Sequence, residues 1–371
     1  MALFGTSSSF LGLDLGTSTL KVVELVDRRK RLELTAYAQA NLPNILIQPP
    51  GSVDDALRVT ANVVSQMLEK AHSTSDTVIA ALPSSVVFST VMMLPDLPEA
   101  DLAKAVHFAA RDVVPTSLDE MVLGWSRLGA QPHMDTGVSD LVEKEGSTPV
   151  KEAVSSKAAA VPVFVTAAPK AIIDRYLKLV ELLKLKLHAL EVETFPLARS
   201  LLNQSADSAL IFDLGDKATT YHLIDRGAAR ISFTLEYGGQ NITTDLAKSM
   251  AISVDEAEQQ KAQFGLQNSG SAILHTSIEK SMNSIIQQAR RLQESYRKDT
   301  GRSINKIVLI GGGANMPGLA ETCSRLLSVK ATVGDPWKGL SYPEGLESRL
   351  TELGPRYAVA VGLALRGFSA A

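Results

Sequence analysis

Residues 10–25 read Phe10-Leu11-Gly12-Leu13-Asp14-Leu15-Gly16-Thr17-Ser18-Thr19-Leu20-Lys21-Val22-Val23-Glu24-Leu25. About 200 residues later the same plan returns as Leu210-Ile211-Phe212-Asp213-Leu214-Gly215-Asp216-Lys217-Ala218-Thr219-Thr220-Tyr221-His222-Leu223-Ile224. Each stretch is an apolar strand ending in Asp-Leu-Gly, a short polar run with hydroxyls, and a second strand. One such unit per half predicts two lobes of common design. At 371 residues the chain is long enough for two lobes, since single cores usually stop growing at about 250 to 300 residues.

Composition narrows the functional classes. The chain is 45% hydrophobic and 21% charged with a net charge of −3, which gives no basic excess for nucleic acid. Cys323 is the sole cysteine, so an internal disulfide and a multi-cysteine metal site are excluded and a reducing compartment is expected. The six histidines show no ligand spacing. Neither the N-terminal stretch nor Arg366 to Ala371 reads as a signal peptide, a transmembrane helix or a basic amphipathic anchor, so the expectation is a cytoplasmic protein with no direct membrane anchor.

Between the two repeats, Thr77 to Ala81 and Val86 to Met93 read as strands. Asp96 and Glu99 read as a capping box, and Leu102, Val106, Ala109 and Val113 as the buried stripe of the helix that follows. Glu120 to Trp125 and Val161 to Thr166 read as strands. Gln131 to Lys157 has no apolar period and reads as a flexible insert. Pro169 opens a helix with Ile172, Ile173, Tyr176, Leu177, Val180 and Leu183 on its apolar face. Residues 84–186 are thus expected to form a small β-α-β-β-α subdomain. The first lobe would comprise 1–83, 187–206 and 346–371, and the second 207–345, with 239–301 its helical part. In that part Ile278, Met282, Ile285, Ala289, Leu292 and Tyr296 mark one long helix.

A glycine in a tight hairpin turn lets backbone amides approach a phosphate because no Cβ blocks them, the role expected of Gly16 and Gly215. Asp14 and Asp213 at the strand ends supply hard oxygens for Mg²⁺, normally through water, and Thr17, Ser18, Thr19 and Thr219 supply hydroxyl donors. Lys21 stands where it can reach back as a point charge. Alone, an Asp-Leu-Gly turn is most often an ordinary hairpin; two equivalent turns can clamp one triphosphate between them. Gly311-Gly312-Gly313 after the strand Ile304 to Ile310, together with Met316, offers bare backbone to an adenosine. Gly238-Gly239 is a weaker case of the same kind. Glu258 and Lys261 share one helix face and either contact ribose and base or form a solvated ion pair. Glu193 is the candidate for positioning a hydrolytic water, with an acid of structural purpose as the alternative. No Walker motif or Ser-His-Asp arrangement is present.

Taken together these motifs resemble the actin superfamily, and within it the PilM family of type IV pilus assembly. The resemblance is carried by Gly12-Leu13-Asp14-Leu15-Gly16, Leu94-Pro95, Ala257-Glu258 with Lys261, Leu309 to Ala314, Asp335-Pro336-Trp337, and above all the run Gly354 to Gly367. It implies an α/β actin-like (ribonuclease H-like) fold of two lobes with an FtsA-type small subdomain. It also implies ATP and Mg²⁺ between the lobes, with Asp14, Gly16, Thr17, Ser18, Thr19 and Lys21 on the first phosphate loop and Asp213, Gly215 and Thr219 on the second. Glu258, Lys261, Gly311, Gly312, Gly313 and Met316 would fall on the adenosine side. The implied partners are a PilN-like inner-membrane protein, held by its N-terminal peptide in a groove beside the small subdomain, and other pilus assembly components. Self-association is a further expectation, and the protein would be peripheral at the inner membrane through its partners. Asp216 and Lys217 depart from the small residues usual at the second tip, and Asp216 would repel a terminal phosphate unless Mg²⁺ lies between them. That favours an ATP-binding scaffold with at most slow hydrolysis. An FtsA-like filament protein is the alternative, with a sugar or acid kinase of the same superfamily behind it.

Overall fold

The computed structural model describes residues 8–43, 45–128, 160–202, 207–267 and 270–368; the insert expected at 131–157 lies outside them. The chain begins with the hairpin β1 (Ser9–Leu15) and β2 (Leu20–Arg28), continues through β3 (Arg31–Ala40), α1 (Val53–Lys70) and β4 (Thr77–Leu82), and passes to β5 (Phe88–Pro95), α2 (Glu99–Val113), β6 (Met121–Arg127) and β7 (Ala160–Pro169). Next come α3 (Lys170–Leu182), β8 (Lys186–Val192) and α4 (Thr194–Leu201). The second half holds β9 (Ser208–Leu214), β10 (Thr219–Asp225), β11 (Ala228–Leu235), α5 (Gly239–Met250), α6 (Val254–Phe264), α7 (Ala272–Thr300), β12 (Lys306–Ile310), α8 (Leu319–Leu327), β13 (Ala331–Val333) and α9 (Glu347–Arg366).

The first sheet runs β3-β2-β1-β4-β8 and the second β11-β10-β9-β12-β13, so both halves place their third, second, first, fourth and fifth strands in one order. In each, the first two strands pair antiparallel and the fourth joins the first in parallel. β1 and β9 are buried along nearly their whole length, as expected of central strands covered on both faces. The shared plan extends to the turns: Gly16 N–H donates to Thr19 O at 3.0 Å, and Gly215 N–H to Ala218 O at the same distance. Glu24 on β2 is nearly inaccessible and accepts from Thr35, Ser73, Thr74 and Ser75, which ties the loop before β4 to the sheet. Burial pushes its carboxyl up, but those hydrogen bonds outweigh it and hold the group below its usual range.

A separate antiparallel sheet, β5-β7-β6, carries α2. The capping box expected at Asp96 and Glu99 is absent: Pro98 is the N-cap with no side-chain bond, and Asp96 instead pairs with Arg127 of β6. Proline at that place fixes the entry φ, and its carbonyl accepts from Asp101 N–H and Leu102 N–H. The stripe also shifts, with Leu102, Val106 and Ala110 buried and Val113 44% exposed. Although α3 follows β7 directly, its buried face (Ile172, Ile173, Tyr176, Leu179, Val180) joins the core of the first sheet beside α1. Leu177, expected on that face, is 41% exposed.

Two helices join the halves. α9 lies against β1 on one face and crosses α4 on the other, where a Cβ on Gly362 would overlap the carbonyl of Pro196. Glu191 at the end of β8 takes both terminal nitrogens of Arg199 at 3.0 Å and Arg366 Nη1 at 2.8 Å, and Arg199 Nη1 also donates to Gly362 O. A buried carboxylate with two arginines and good geometry holds the crossing in one arrangement. Thr194 on α4 also bonds His222 Nδ1 on β10 at 2.9 Å.

Candidate functional site

The two hairpin turns meet across a cleft. Ser18 Oγ donates to Asp216 Oδ2 at 2.8 Å, so the tips touch although 198 residues separate them. Behind the tips lies a cavity of about 190 Å³ lined by Asp14, Gly16, Thr17, Ser18, Thr19 and Lys21 from the first turn. Gly215 and Asp216 from the second turn, Asp213, Glu193, Gly311 and Gly312 complete the residues anticipated there. Each reaches the cleft for a local reason. Asp14 is the register partner of Lys21 in the first hairpin, and Asp213 that of Thr220 in the second, so equivalent strand ends deliver one carboxylate from each lobe. Ile310 pairs with Asp213, which delivers the glycine run to the same place. Gly311 has φ +85°, and a Cβ there would collide with the Asp213 carboxylate and the Leu214 carbonyl, so only glycine fits.

Electrostatics at the cleft are dominated by acids. Lys21 Nζ stands 3.2 Å from Asp14 Oδ2, and both side chains are about one-tenth exposed or less. Glu193 begins α4 and accepts from Ser84 N–H at 2.8 Å. Its carboxyl is pushed up to about 8 by burial and by the charge of Asp14, with the Ser84 bond opposing and Asp213 adding to the rise. Asp213 is raised to about 6, again by burial first, with Lys21 opposing and Asp14 adding to the rise. Three carboxylates around one buried ammonium leave the site short of positive charge. Among the described residues, however, no three His, Cys, Asp or Glu side chains are grouped to hold a metal directly.

A pH consequence follows. An acid whose folded pKa is raised holds its proton in the folded state, so its stabilising effect is full below the unfolded value near 4.5 and is lost as pH rises through the folded one. Ligand-free protein should therefore lose stability between about pH 4.5 and pH 8, read as a falling urea midpoint, and Glu193→Gln should flatten that slope. An equal slope in the variant would show that Glu193 does not titrate there.

Several anticipated residues lie elsewhere. Thr219 is buried and donates to Tyr237 O at 2.8 Å. Gly239 N–H donates to Gly215 O and Gln240 N–H to Asp216 O, so the start of α5 docks on the second turn rather than opening to the cavity. Gly238 permits that contact, since a Cβ would strike three backbone atoms of the turn. Glu258 and Lys261 form the ion pair at 2.7 Å, and Lys261 also bonds Gly239 O and Thr243 Oγ1. Gly313 N–H donates to Leu214 O, and Met316 packs on the core of the second lobe. The glycine-rich run ends at Gly318, the N-cap of α8, which begins at Leu319.

The cleft also holds residues that the sequence reading missed: Gln39, Ser85, Ala218, Thr220, Thr234 and Arg356. Arg356 had a signal, since it sits in the C-terminal run Gly354 to Gly367, but nothing local tied that run to the cleft. Next to the cleft, a groove of about 780 Å³ opens between the first lobe and the small sheet. Val86, Val87, Phe88 and Met121 give it apolar walls, and Asp119, Glu120 and Lys170 give it charge.

The architecture is shared with proteins of known structure. A solved PilM-PilN type IV pilus biogenesis complex contains a chain 25% identical, with 97% of this chain and 98% of that one covered at a TM-score of 0.76. MreB5 of Spiroplasma citri, solved bound to AMPPNP, shares the fold at 12% identity and a TM-score of 0.51, over 99% of this chain and 97% of that one. In sequence, the cell division protein FtsA of Streptococcus pneumoniae serotype 2 is 23% identical over 365 residues, covering 88% of this chain and 75% of that protein. The fold is the actin-like two-lobed α/β fold with an FtsA-type small subdomain. The model of the type IV pilus assembly protein PilM family matches residues 12–368, and the chain belongs to that family.

Proposed function

We propose that this PilM-family protein is an ATP-binding scaffold of type IV pilus machinery, with ATP and Mg²⁺ in the cleft and the N-terminal peptide of a PilN-like inner-membrane protein in the adjoining groove. The observation that carries the reading is the convergence of Asp14, Lys21, Asp213 and Glu193 between two glycine turns of equal geometry. These residues fit the group. Hydroxyls of Thr17, Ser18, Thr19, Thr220 and Thr234 line the cleft as phosphate donors, and Lys21 and Arg356 add cationic charge. Asp14 and Asp213 would hold Mg²⁺ through water, in keeping with the ion's reluctance to lose its hydration shell. When bound, Mg²⁺ would supply positive charge to balance Asp14, Asp213 and the phosphates.

Glu193, raised to about 8, holds its proton at neutral pH in the ligand-free cleft and so cannot accept one from water there. Asp216 at the rim, where it accepts from Ser18, would repel a terminal phosphate not covered by Mg²⁺, which favours a holder of ATP with slow turnover at most. The cavity of about 190 Å³ is narrower than the ~300–1,000 Å³ usual for ligand sites, so nucleotide entry requires the tips to part. No described helix is long and apolar enough to cross a membrane. In this reading the protein is cytoplasmic and reaches the inner membrane through its partner. The groove walls suit an extended peptide with apolar side chains and a basic group facing Asp119 or Glu120.

Calorimetric titration with AMPPNP, with and without Mg²⁺, tests the cleft, and titration with the partner's synthetic N-terminal peptide tests the groove. Mg²⁺-dependent binding of AMPPNP and saturable binding of the peptide are expected. Absence of AMPPNP binding at millimolar concentration would remove the nucleotide role, and absence of peptide binding the scaffold role. The similarity to FtsA over most of the chain favours filament formation as the second reading, which pelleting with ATP would reveal.

A further inference from the structure

We infer that the cleft and the groove are linked through one short strap, residues 83–85, so that what occupies the cleft sets the shape of the groove. The inference rests on the proposed nucleotide site and extends it to regulation of the partner site.

Its basis is the end of the first sheet. β4 and β8 run side by side in parallel, with Leu82 opposite Val192, so the strap leaving β4 and Glu193 leaving β8 emerge as neighbours. They are joined there by the bond from Ser84 N–H to Glu193 Oε2 at 2.8 Å. Glu193 belongs to the cleft, where it feels the charges of Asp14 and Asp213. Ser85, one residue beyond the bond, lines both the cleft and the groove.

After Ser85 the chain has little freedom to absorb a displacement. Val86 N–H closes a turn on Pro83 O at 3.1 Å, and Val87 is buried in the core of the first sheet. Phe88 then enters β5, whose edge forms one wall of the groove. Packed cores shift between discrete arrangements rather than yielding gradually, so a displacement at Ser84 is passed to Val87 and Phe88.

Coupling also requires a ligand to contact the two arrangements differently. Here one carboxyl group belongs to both the strap and the cleft. In the structure Glu193 Oε2 is engaged by Ser84 N–H, and a hydrated cation or phosphate-bound water between Asp14 and Asp213 would compete for it. Drawing Glu193 toward the cleft loosens its hold on the strap. By linkage the effect is reciprocal: a peptide seated against Ser85 and Phe88 alters nucleotide affinity by the same factor.

Hydrogen exchange with mass spectrometry provides the test, using AMPPNP with Mg²⁺ as the only added ligand. Calorimetry first fixes the concentration that saturates each protein. In the wild type, exchange at amides 84–88 and 119–121 should change by at least about threefold on saturation. In Glu193→Ala, at its own saturating concentration as fixed by calorimetry, that response should vanish even if more AMPPNP is needed to reach saturation. A saturated wild type with unchanged groove amides would overturn the link, and so would a Glu193→Ala variant that keeps the full groove response. Failure of AMPPNP to bind would overturn both the link and the nucleotide site beneath it. Should Glu193→Ala not fold, Glu193→Gln, which keeps an acceptor for Ser84, serves in its place, with a weakened response expected and an undiminished one counting against the link.

Discussion

Replacing Gly362 with valine is expected to cost at least about 4 kcal/mol of folding stability, read as a large fall in the urea midpoint or as loss of soluble protein. The argument is steric and concerns backbone. A Cβ at residue 362 would overlap the carbonyl, carbonyl carbon and Cα of Pro196, none of which can swing aside as a side chain can. Nor can α9 retreat, because its opposite face is held at Gly12, where a Cβ would strike Ala360 O and Ala364 N. Overpacking a core costs about 1–3 kcal/mol when side chains can adjust, and more when they cannot. Set against a total stability of about 5–15 kcal/mol, such a loss is a large part of what holds the chain folded. Gly312→Ala is the control: nothing lies within 4 Å of its Cβ position, so its midpoint should stay near that of the wild type. A Gly362→Val protein with an unshifted midpoint would mean that the α4–α9 crossing is not as tight as described.

Removing Lys21 should have two separable effects. Lys21→Met leaves Asp14 buried and unpaired beside Asp213 and Glu193, and breaking a buried pair by taking one partner away costs about 3–5 kcal/mol. It should also lower AMPPNP affinity by at least about tenfold, because the one buried cation facing the phosphates is gone. The double variant Lys21→Met, Asp14→Asn tells the two apart, since removing both charges together should restore much of the stability but none of the affinity. Urea unfolding and calorimetry on the same samples read both quantities. Wild-type affinity in Lys21→Met would remove Lys21 from the phosphate site. From sequence alone the lysine could be read as a ligand contact without structural cost; its burial against Asp14 gives it a structural cost of removal to be measured beside any part in binding.

The hairpins were legible because everything that makes them is local. Apolar runs, a glycine at the turn and the offset between the repeats are enough to give β1–β2 and β9–β10 and to set Asp14 and Asp213 at equivalent strand ends. The parts that escaped depend on packing between distant segments. Nothing near residues 170–182 shows that α3 buries its face against α1 rather than on the small sheet. Gly238 and Gly239 look like ligand-facing glycines, yet a Cβ on Gly238 would strike the turn at Gly215, and Gly239 N–H donates to Gly215 O. Lys261 reads equally well as a nucleotide contact or an ion pair, and its bonds to Gly239 O and Thr243 exist only because α5 and α6 pack together. Ser85 carries no motif, and the run that holds Arg356 does not show where it goes; only the tertiary fold brings the two to the cleft.

The contact between Ser18 and Asp216 bears on how fast the site can load. A cleft whose two rims are hydrogen-bonded admits a nucleotide only in the fraction of time that the rims are apart. The observed association rate then rises with nucleotide concentration at first and levels off at the opening rate. Breaking the contact on one side, as Ser18→Ala does, lifts that plateau. On the nucleotide role proposed above, the pair at the rim would set how often the cleft opens, and with one exposed hydrogen bond worth about 1 kcal/mol the change on breaking it should be a few-fold.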